Sequence, residues 1–438
     1  MDRIVRFISC LVVVDAFFFS SNYSFIGGLN TKQILAVFGA LAILVDMLRN
    51  HTVTFPKEFV TIFILSVVVS MMAKFSVAYH TTQETAYTTY FMSMFIWFTA
   101  AFAVIRFLNR SYGYVSISLL GRYIVLCTLV QGFLMLIADQ NPAWNDFYLR
   151  TVPSLRWVNK VHRLYGYSDT CSLDTGGIRF AMACVLCVHL IREDMKCNVM
   201  RRIPFYIVAF GIITVTGNMI ARTTLVGTLV GLGYLFVSIV SVRNSSSVKV
   251  PLLLMLEFGI LFAICASRYR NDDAFHEHMR FAFEGFFALF EDGSWHTASN
   301  DKLLSMYVLP DNMETWLIGD GYFSNPAYDM NYLGDITEGY YMGTDVGYLR
   351  FIFFFGLIGL LLFSIFIIYC GARCMHIFPD SRFLFFIFTL FNFIIWAKVA
   401  TDCFFILILF LCLAYVDDCN MYALEEQDAE ETDEMAVT

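Results

Sequence analysis

The sequence predicts an all-α polytopic integral membrane protein, with about twelve transmembrane helices and two long outer loops. Three observations carry this. The 438 residues are 58% hydrophobic and only 15% charged, with a mean hydropathy of +0.64. A soluble domain is roughly 45–50% apolar and about 25% charged. The chain holds 46 Phe and 23 Tyr, more aromatic surface than a water-facing fold buries. Apolar runs of about bilayer length recur from end to end. The same composition excludes a secreted disulfide scaffold, a disordered regulator and a nucleic-acid binder.

In order, the apolar runs are 4–20, 34–48, 59–79, 89–108, 115–138 and 176–191 in the first half. The second half adds 203–220, 223–241, 250–266, 346–370, 383–397 and 399–416. The last two follow so closely that they also fit one re-entrant pair. Run 4–20 has the basic flanks of a signal peptide. Asp15 interrupts its apolar stretch and no small-residue cleavage site follows, so it is taken as a membrane helix.

Arg and Lys set the orientation, because cytoplasmic loops retain them. One set of connections carries Arg3, Arg6, Arg49, Lys57, Arg106, Arg110, a cluster from Arg192 to Arg202, Arg243, Lys249, Arg373 and Arg382; the short connections of the other set are almost free of bases. Both termini are expected in the cytoplasm. Residues 1–416 form a single bundle, and 417–438 form an acidic, solvated tail of the kind that like-charge blocks usually make.

The 12 Cys fall mostly inside apolar runs, where a thiol acts as a small hydrophobe. Cys184 and Cys187 form a CxxC, but on a spanning segment with no second pair, which disfavours zinc. P-loop, HExxH and GxSxG patterns are absent, as are inverted-repeat halves with matched broken helices.

Two connections, 139–175 and 267–345, are too long for simple turns and rich in Trp, Tyr and Leu, so function is expected on the outer face. The first holds Arg150, Arg156, Lys160, His162 and Arg163; the second holds Arg268, Arg270, His276, His278, Arg280, His296 and Lys302. Any one of these is most simply surface charge, but clustered guanidinium groups beside a membrane suit phosphate or pyrophosphate. Arg222 stands in the tightest outer turn, after Gly217-Asn218-Met219-Ile220, and opens the next span; Arg179 and Arg350 lie about one turn into theirs. Snorkelling is the plain alternative for all three.

Phe275, Met279, Phe283, Phe286, Phe287 and Phe290 recur at helical spacing, an expected amphipathic helix at headgroup level with Arg280 beside its stripe. From Trp316 onward the chain mixes Tyr322, Tyr328, Tyr332, Tyr340, Tyr341 and Tyr348 with Asp320, Asp329, Asp335, Glu338 and Asp345. Rings that stack on sugar faces, with carboxylates that accept sugar hydroxyls, use such a mixture; an interfacial aromatic belt is the competing explanation. Asp345, just before an apolar span, also suits a helix N-cap.

Three places resemble the repeat-unit polymerases of O-antigen and capsular polysaccharide (Wzy-type), relatives of the O-antigen ligases. They are Arg163-Leu164-Tyr165-Gly166 with 168–174 leading into the next span, the turn with Arg222, and Leu317-Ile318-Gly319-Asp320-Gly321-Tyr322. The last is followed by Thr344-Asp345-Val346-Gly347-Tyr348-Leu349 and Phe355-Gly356-Leu357-Ile358-Gly359. Ligases tend to place His where this chain has Asp345, which favours the polymerases.

The resemblance implies a GT-C-like glycosyltransferase of the bacterial inner membrane that needs no metal or cofactor. It would act on an undecaprenyl-pyrophosphate-linked oligosaccharide in the lipid bilayer, with a chain-length regulator as partner. Arg222 and Arg280, then Arg163 and Arg179, would bind pyrophosphate; Asp345 and Asp320 would serve the acceptor hydroxyl. A ligase is the near alternative. A repeat-unit flippase is the distant one, with Lys74, Arg122, Glu257, Lys398 and Asp402 as its polar residues.

Overall fold

The computed structural model describes residues 3–50, 57–160, 163–242, 245–326 and 339–414. Of the features expected above, the acidic tail 417–438 and His162, Arg243, Tyr328, Asp329, Tyr332, Asp335 and Glu338 lie outside them. The protein is all-helical, 79% helix with no strands among the described residues. Among the described residues ten helices are long and apolar enough to cross a membrane, which makes it a polytopic membrane protein.

The first five helices are α1 (Arg3–Phe18), α2 (Thr31–Asn50), α3 (Lys57–Tyr79), α4 (Tyr90–Tyr112) and α5 (Ile117–Gln140). Two short ones follow, α6 (Pro142–Thr151) and α7 (Leu155–Lys160), then α8 (Leu173–Lys196), α9 (Ile203–Ile220), α10 (Thr223–Val242) and α11 (Ser245–Asn271). The second long connection holds α12 (Asp273–Ala282), α13 (Glu284–Glu291), α14 (Ala298–Ser305) and α15 (Met313–Ile318). The chain ends in α16 (Gly347–Ile377), α17 (Arg382–Trp396) and α18 (Phe404–Ala414). Each of the twelve apolar runs carries a helix, although α1, at 16 residues, and α18 fall short of a full span.

The ends follow from side-chain chemistry. Ser116 accepts from the N–H of Leu119 and so caps α5; Asp272 and Asn312 cap α12 and α15 in the same way. Pro142 opens α6, where a missing N–H costs nothing. The bundle is built round α8, whose residues from Gly176 to Ile191 are all buried. Its neighbour α10 approaches so closely that a Cβ on Gly227 would lie 2.3 Å from that of Ala181, the small-residue contact expected between membrane helices.

Two ends of the bundle differ in kind. At one, Arg6 reaches the carbonyl of Ser111, Arg192 that of Asp380, and Arg373 pairs with Glu58. At the other, Ser24 bonds the carbonyl of Arg150, Glu84 accepts from the N–H groups of Phe323 and Ser324, and His278 meets Asp139. Both long connections therefore gather at the end opposite Arg6, Arg192 and Arg373.

Two departures from the expected elements matter for the site. The Phe stripe is not one helix: it breaks at Phe283 (φ −119°, ψ 25°), between α12 and α13. Phe275 and Phe283 pack against the bundle, whereas Phe290 is exposed. The chain is bent so that both flanks can reach apolar neighbours.

The other departure is a kink in α16. Phe355 and Gly356 are non-helical, Gly356 at φ 69°, and a Cβ there would lie 2.1 Å from the carbonyl oxygen of Leu317. The Leu317–Gly321 stretch packs into the break. The N–H of Asp320 donates to the carbonyl of Phe353 at 2.6 Å, that of Gly321 to Phe354 at 3.2 Å, and Ser76 donates to Phe354 at 2.8 Å. Irregular backbone at membrane depth is tolerated where protein satisfies it, and here the two glycine-containing motifs satisfy each other.

Candidate functional site

The turn between α9 and α10 places Arg222 at the loop-rich end. A Cβ on Gly177 of α8 would lie 2.8 Å from that of Ala221, so the turn is clamped against α8. Arg222 pairs with Glu284 at 2.5 Å. Its Nε and Nη1 are buried without a hydrogen-bond partner. Leaving such donors unmade is costly, and in a cationic group they mark a place for an anion.

Arg163 comes from the other long connection to the same spot. Its guanidinium lies 4.0 Å from the centre of the Phe281 ring and that of Arg222 lies 4.5 Å from it. Burial and the neighbouring Arg222 hold Arg163 below its ordinary value; burial does the same to Arg222, against Glu284. Both stay charged, since an arginine cannot be neutralised in this range. Two like charges on one ring favour an incoming anion.

These residues line a cavity of about 700 Å³ that also takes in Arg280, Glu284, His296 and Lys302. Arg280 is thus in the cavity, but both its Nη atoms are held by the two carboxylate oxygens of Glu291, at 2.9 and 2.7 Å.

A charged chain runs from there into the bundle. Asp174, in the first turn of α8, accepts from Lys398 at 2.5 Å and from the hydroxyl of Thr223 at 2.6 Å. Lys398 also donates to Thr223 at 3.0 Å. A small cavity of about 80 Å³ joins Arg163, Arg222, Asp174 and Lys398. Lys398 lies in the irregular 397–403 stretch between α17 and α18. That stretch presses on the start of α16: a Cβ on Gly347 would lie 2.5 Å from the carbonyl oxygen of Val399.

Asp345 is brought within electrostatic reach of both Asp174 and Lys398. It pairs with Arg350 at 3.3 Å, whose guanidinium lies 3.9 Å from the Phe323 ring centre and 4.5 Å from that of Tyr340. Burial, opposed chiefly by Arg350, pushes the Asp345 carboxyl up to about 6. The helix-cap alternative does not hold: the cap of α16 is Val346, without a side-chain cap bond. The hydroxyl that helps there is Thr344, accepting from the N–H of Val346 at 3.3 Å.

Two expected site residues lie elsewhere. Arg179 is 5% exposed; it donates to the carbonyls of Phe18 and Thr175 and covers Phe405 at 4.5 Å. Its fork is spent on tying α1 to α8. Asp320 accepts from the Thr315 hydroxyl at 2.5 Å and the Tyr341 hydroxyl at 3.2 Å, so its carboxylate staples the loop to itself.

The structure also adds residues that sequence reasoning missed. Phe281 is off the Phe stripe, and Glu284 carries no motif that marks it as the partner of Arg222. Lys398, expected above only as a polar residue of the flippase alternative, is instead placed beside Arg163 and Arg222. Among the described residues no three His, Cys, Asp or Glu side chains converge as a metal site. The cluster as a whole can bind a multiply charged anion beside a half-buried carboxylate, at the end of a membrane bundle. Compared with protein-family models, curated proteins and solved structures, the chain gives no match.

Proposed function

We propose that this protein is a polysaccharide repeat-unit polymerase of the bacterial inner membrane, with both termini cytoplasmic and the loop-rich end outward. It moves a glycan from undecaprenyl pyrophosphate to a hydroxyl of an incoming lipid-linked repeat unit. The observation that carries this reading is the placement of Arg163 and Arg222 over Phe281 with the Asp174–Lys398 pair alongside and Asp345 within electrostatic reach of that pair. Cation and carboxylate stand at neighbouring points, as the two halves of the transfer require.

The chemistry follows from those roles. Arg222 and Arg163 hold the pyrophosphate and stabilise the negative charge that grows on it as the anomeric carbon–oxygen bond breaks. Asp345 accepts the proton of the acceptor hydroxyl, whose oxygen forms the new glycosidic bond. Undecaprenyl pyrophosphate leaves with the bonding pair. Arg280 serves at the cavity rim, and Lys398 keeps Asp174 paired. Arg179 and Asp320 hold the frame.

Deletion of the gene followed by a gel of the host's surface glycan tests the assignment. A polymerase loss leaves single repeats on the acceptor. Empty acceptor would point to a ligase, and loss of both product and periplasmic repeat to a flippase. Purified protein with lipid-linked repeat should also polymerise in excess EDTA; activity that stops and returns with a divalent ion would sink the metal-independent mechanism.

A further inference from the structure

We infer that a second cavity, on the other side of Arg163, is a sugar subsite that takes the residue borne on the pyrophosphate; this rests on the polymerase reading. The cavity has a volume of about 500 Å³ and lies between the end of α5, α6, α7 with the residues that follow it, and α12. That is within the roughly 300–1,000 Å³ of ordinary small-molecule sites. It shares Arg163 and Phe281 with the larger cavity that contains Arg222.

Its polar wall differs in kind from that of its neighbour. Asp139, Asn145, Asn159, Tyr165, Glu277 and His278 line it, and among the described residues of its lining Arg163 is the one Arg or Lys. Carboxylates and carboxamides without further cations suit a neutral ligand with many hydroxyls, each of which both donates and accepts. A free phosphate would meet two carboxylates there.

The wall is already ordered. The Tyr165 hydroxyl lies between Asn159 Oδ1, at 2.8 Å, and Asn145 Oδ1, with one proton to give to either, and Asn145 Nδ2 donates to Asn159 Oδ1 at 3.3 Å. His278 Nε2 is 3.0 Å from Asp139 Oδ1, which ties α12 to the end of α5. Such preorganisation lowers the cost of binding.

Connectivity chooses the ligand. In a glycosyl pyrophosphate the sugar is joined to phosphorus through one oxygen, so phosphate held at Arg163 and Arg222 puts the ring immediately beside it. Two cavities that share a cationic wall and an aromatic wall match that arrangement.

The test uses the full chain in lipid nanodiscs and two probes: the host's lipid-linked repeat unit, and the oligosaccharide freed from it by mild acid, which lacks pyrophosphate. Binding of the oligosaccharide is followed by saturation-transfer NMR and turnover by polymer formation. Asn145→Ala and Glu277→Ala should each weaken oligosaccharide binding about tenfold and raise KM for the lipid-linked repeat, with kcat within about twofold. Arg222→Lys should leave oligosaccharide binding within about twofold.

Glu277 is exposed on α12, so its variant carries the result even if Asn145→Ala unfolds. Oligosaccharide that binds wild type and both variants equally, or that fails to bind wild type, overturns the subsite. Oligosaccharide binding that depends on Glu277, with no polymer from wild type, supports the subsite and defeats the polymerase reading instead.

Discussion

The ammonium of Lys398 lies 2.5 Å from the carboxylate of Asp174, joining residues 224 positions apart. The contact seats the stretch between α17 and α18 on the first turn of α8. Thr223, from the turn that carries Arg222, bonds to both partners. One ion pair therefore locks three segments of the site together.

Replacing Lys398 should loosen all three. Lys398→Met leaves Asp174 with the Thr223 hydroxyl and without its cation. The loss should be about 1–3 kcal/mol, toward the low end because the pair is partly exposed. Thermal unfolding in detergent measures it. A double-mutant cycle with Asp174→Asn should show coupling; additive effects would mean the pair contributes nothing of its own.

Arg222 and Arg280 should not respond alike. Arg222 has two unpartnered buried nitrogens, whereas Arg280 is already forked onto Glu291. Arg→Lys keeps the charge and loses the fork. Polymer synthesis should fall about tenfold or more in Arg222→Lys and by less in Arg280→Lys. Wild-type turnover in Arg222→Lys at equal expression would reduce Arg222 to a membrane anchor.

Asp345 gives a pH signature with a definite sign. Burial raises its carboxyl from 3.8 to about 6, Arg350 opposing. The native state then holds the proton more tightly than the unfolded chain. Its contribution to stability is full below about pH 4 and is lost as pH rises through about 6. Asp345→Asn is always neutral, so it should gain thermal stability relative to wild type between those values. A base must be ionised, so polymerisation by wild type should climb through about pH 6 and be abolished in Asp345→Asn. Full-length polymer from that variant would remove Asp345 from the mechanism.

Orientation is the simplest prediction to check. Reporter fusions after Asn300 and after Thr438 should fall in opposite compartments, the first outside. Matching signals would overturn the outward placement of the cavities.

Much of the bundle was legible because membrane spans declare themselves by length and apolarity alone. The 203–220 run coincides with α9 end for end. Breaks were harder to see. Phe283 interrupts a stripe whose periodicity runs on past it, and Gly356 sits in an apolar sequence that gives no sign of a kink until Leu317–Gly321 is known to fill it. Arg163, Arg222 and Arg280 were found as types of residue in outer connections, and the fold brings all three to one cavity. Arg179 and Asp320 belonged to the same types, but nearby backbone and hydroxyls claim them. Lys398 is visible as a polar residue but its pairing is not, because the partner is half a chain away; an isolated charge reveals a need for pairing, not the identity of the pair.

The kink in α16 also sets an order of assembly. Ribosomes make this chain from its N-terminus, so the N–H groups of Asp320 and Gly321 emerge before the carbonyls of Phe353 and Phe354 that receive them. A nascent chain halted between those points already contains Arg163, Arg222 and Arg280, yet can hold the far end of the loop that bears Arg280 only at Thr82 and Glu84, without the α16 carbonyls that complete its seat. Closure of the outer end is thus an event of late synthesis, timed by the insertion of α16.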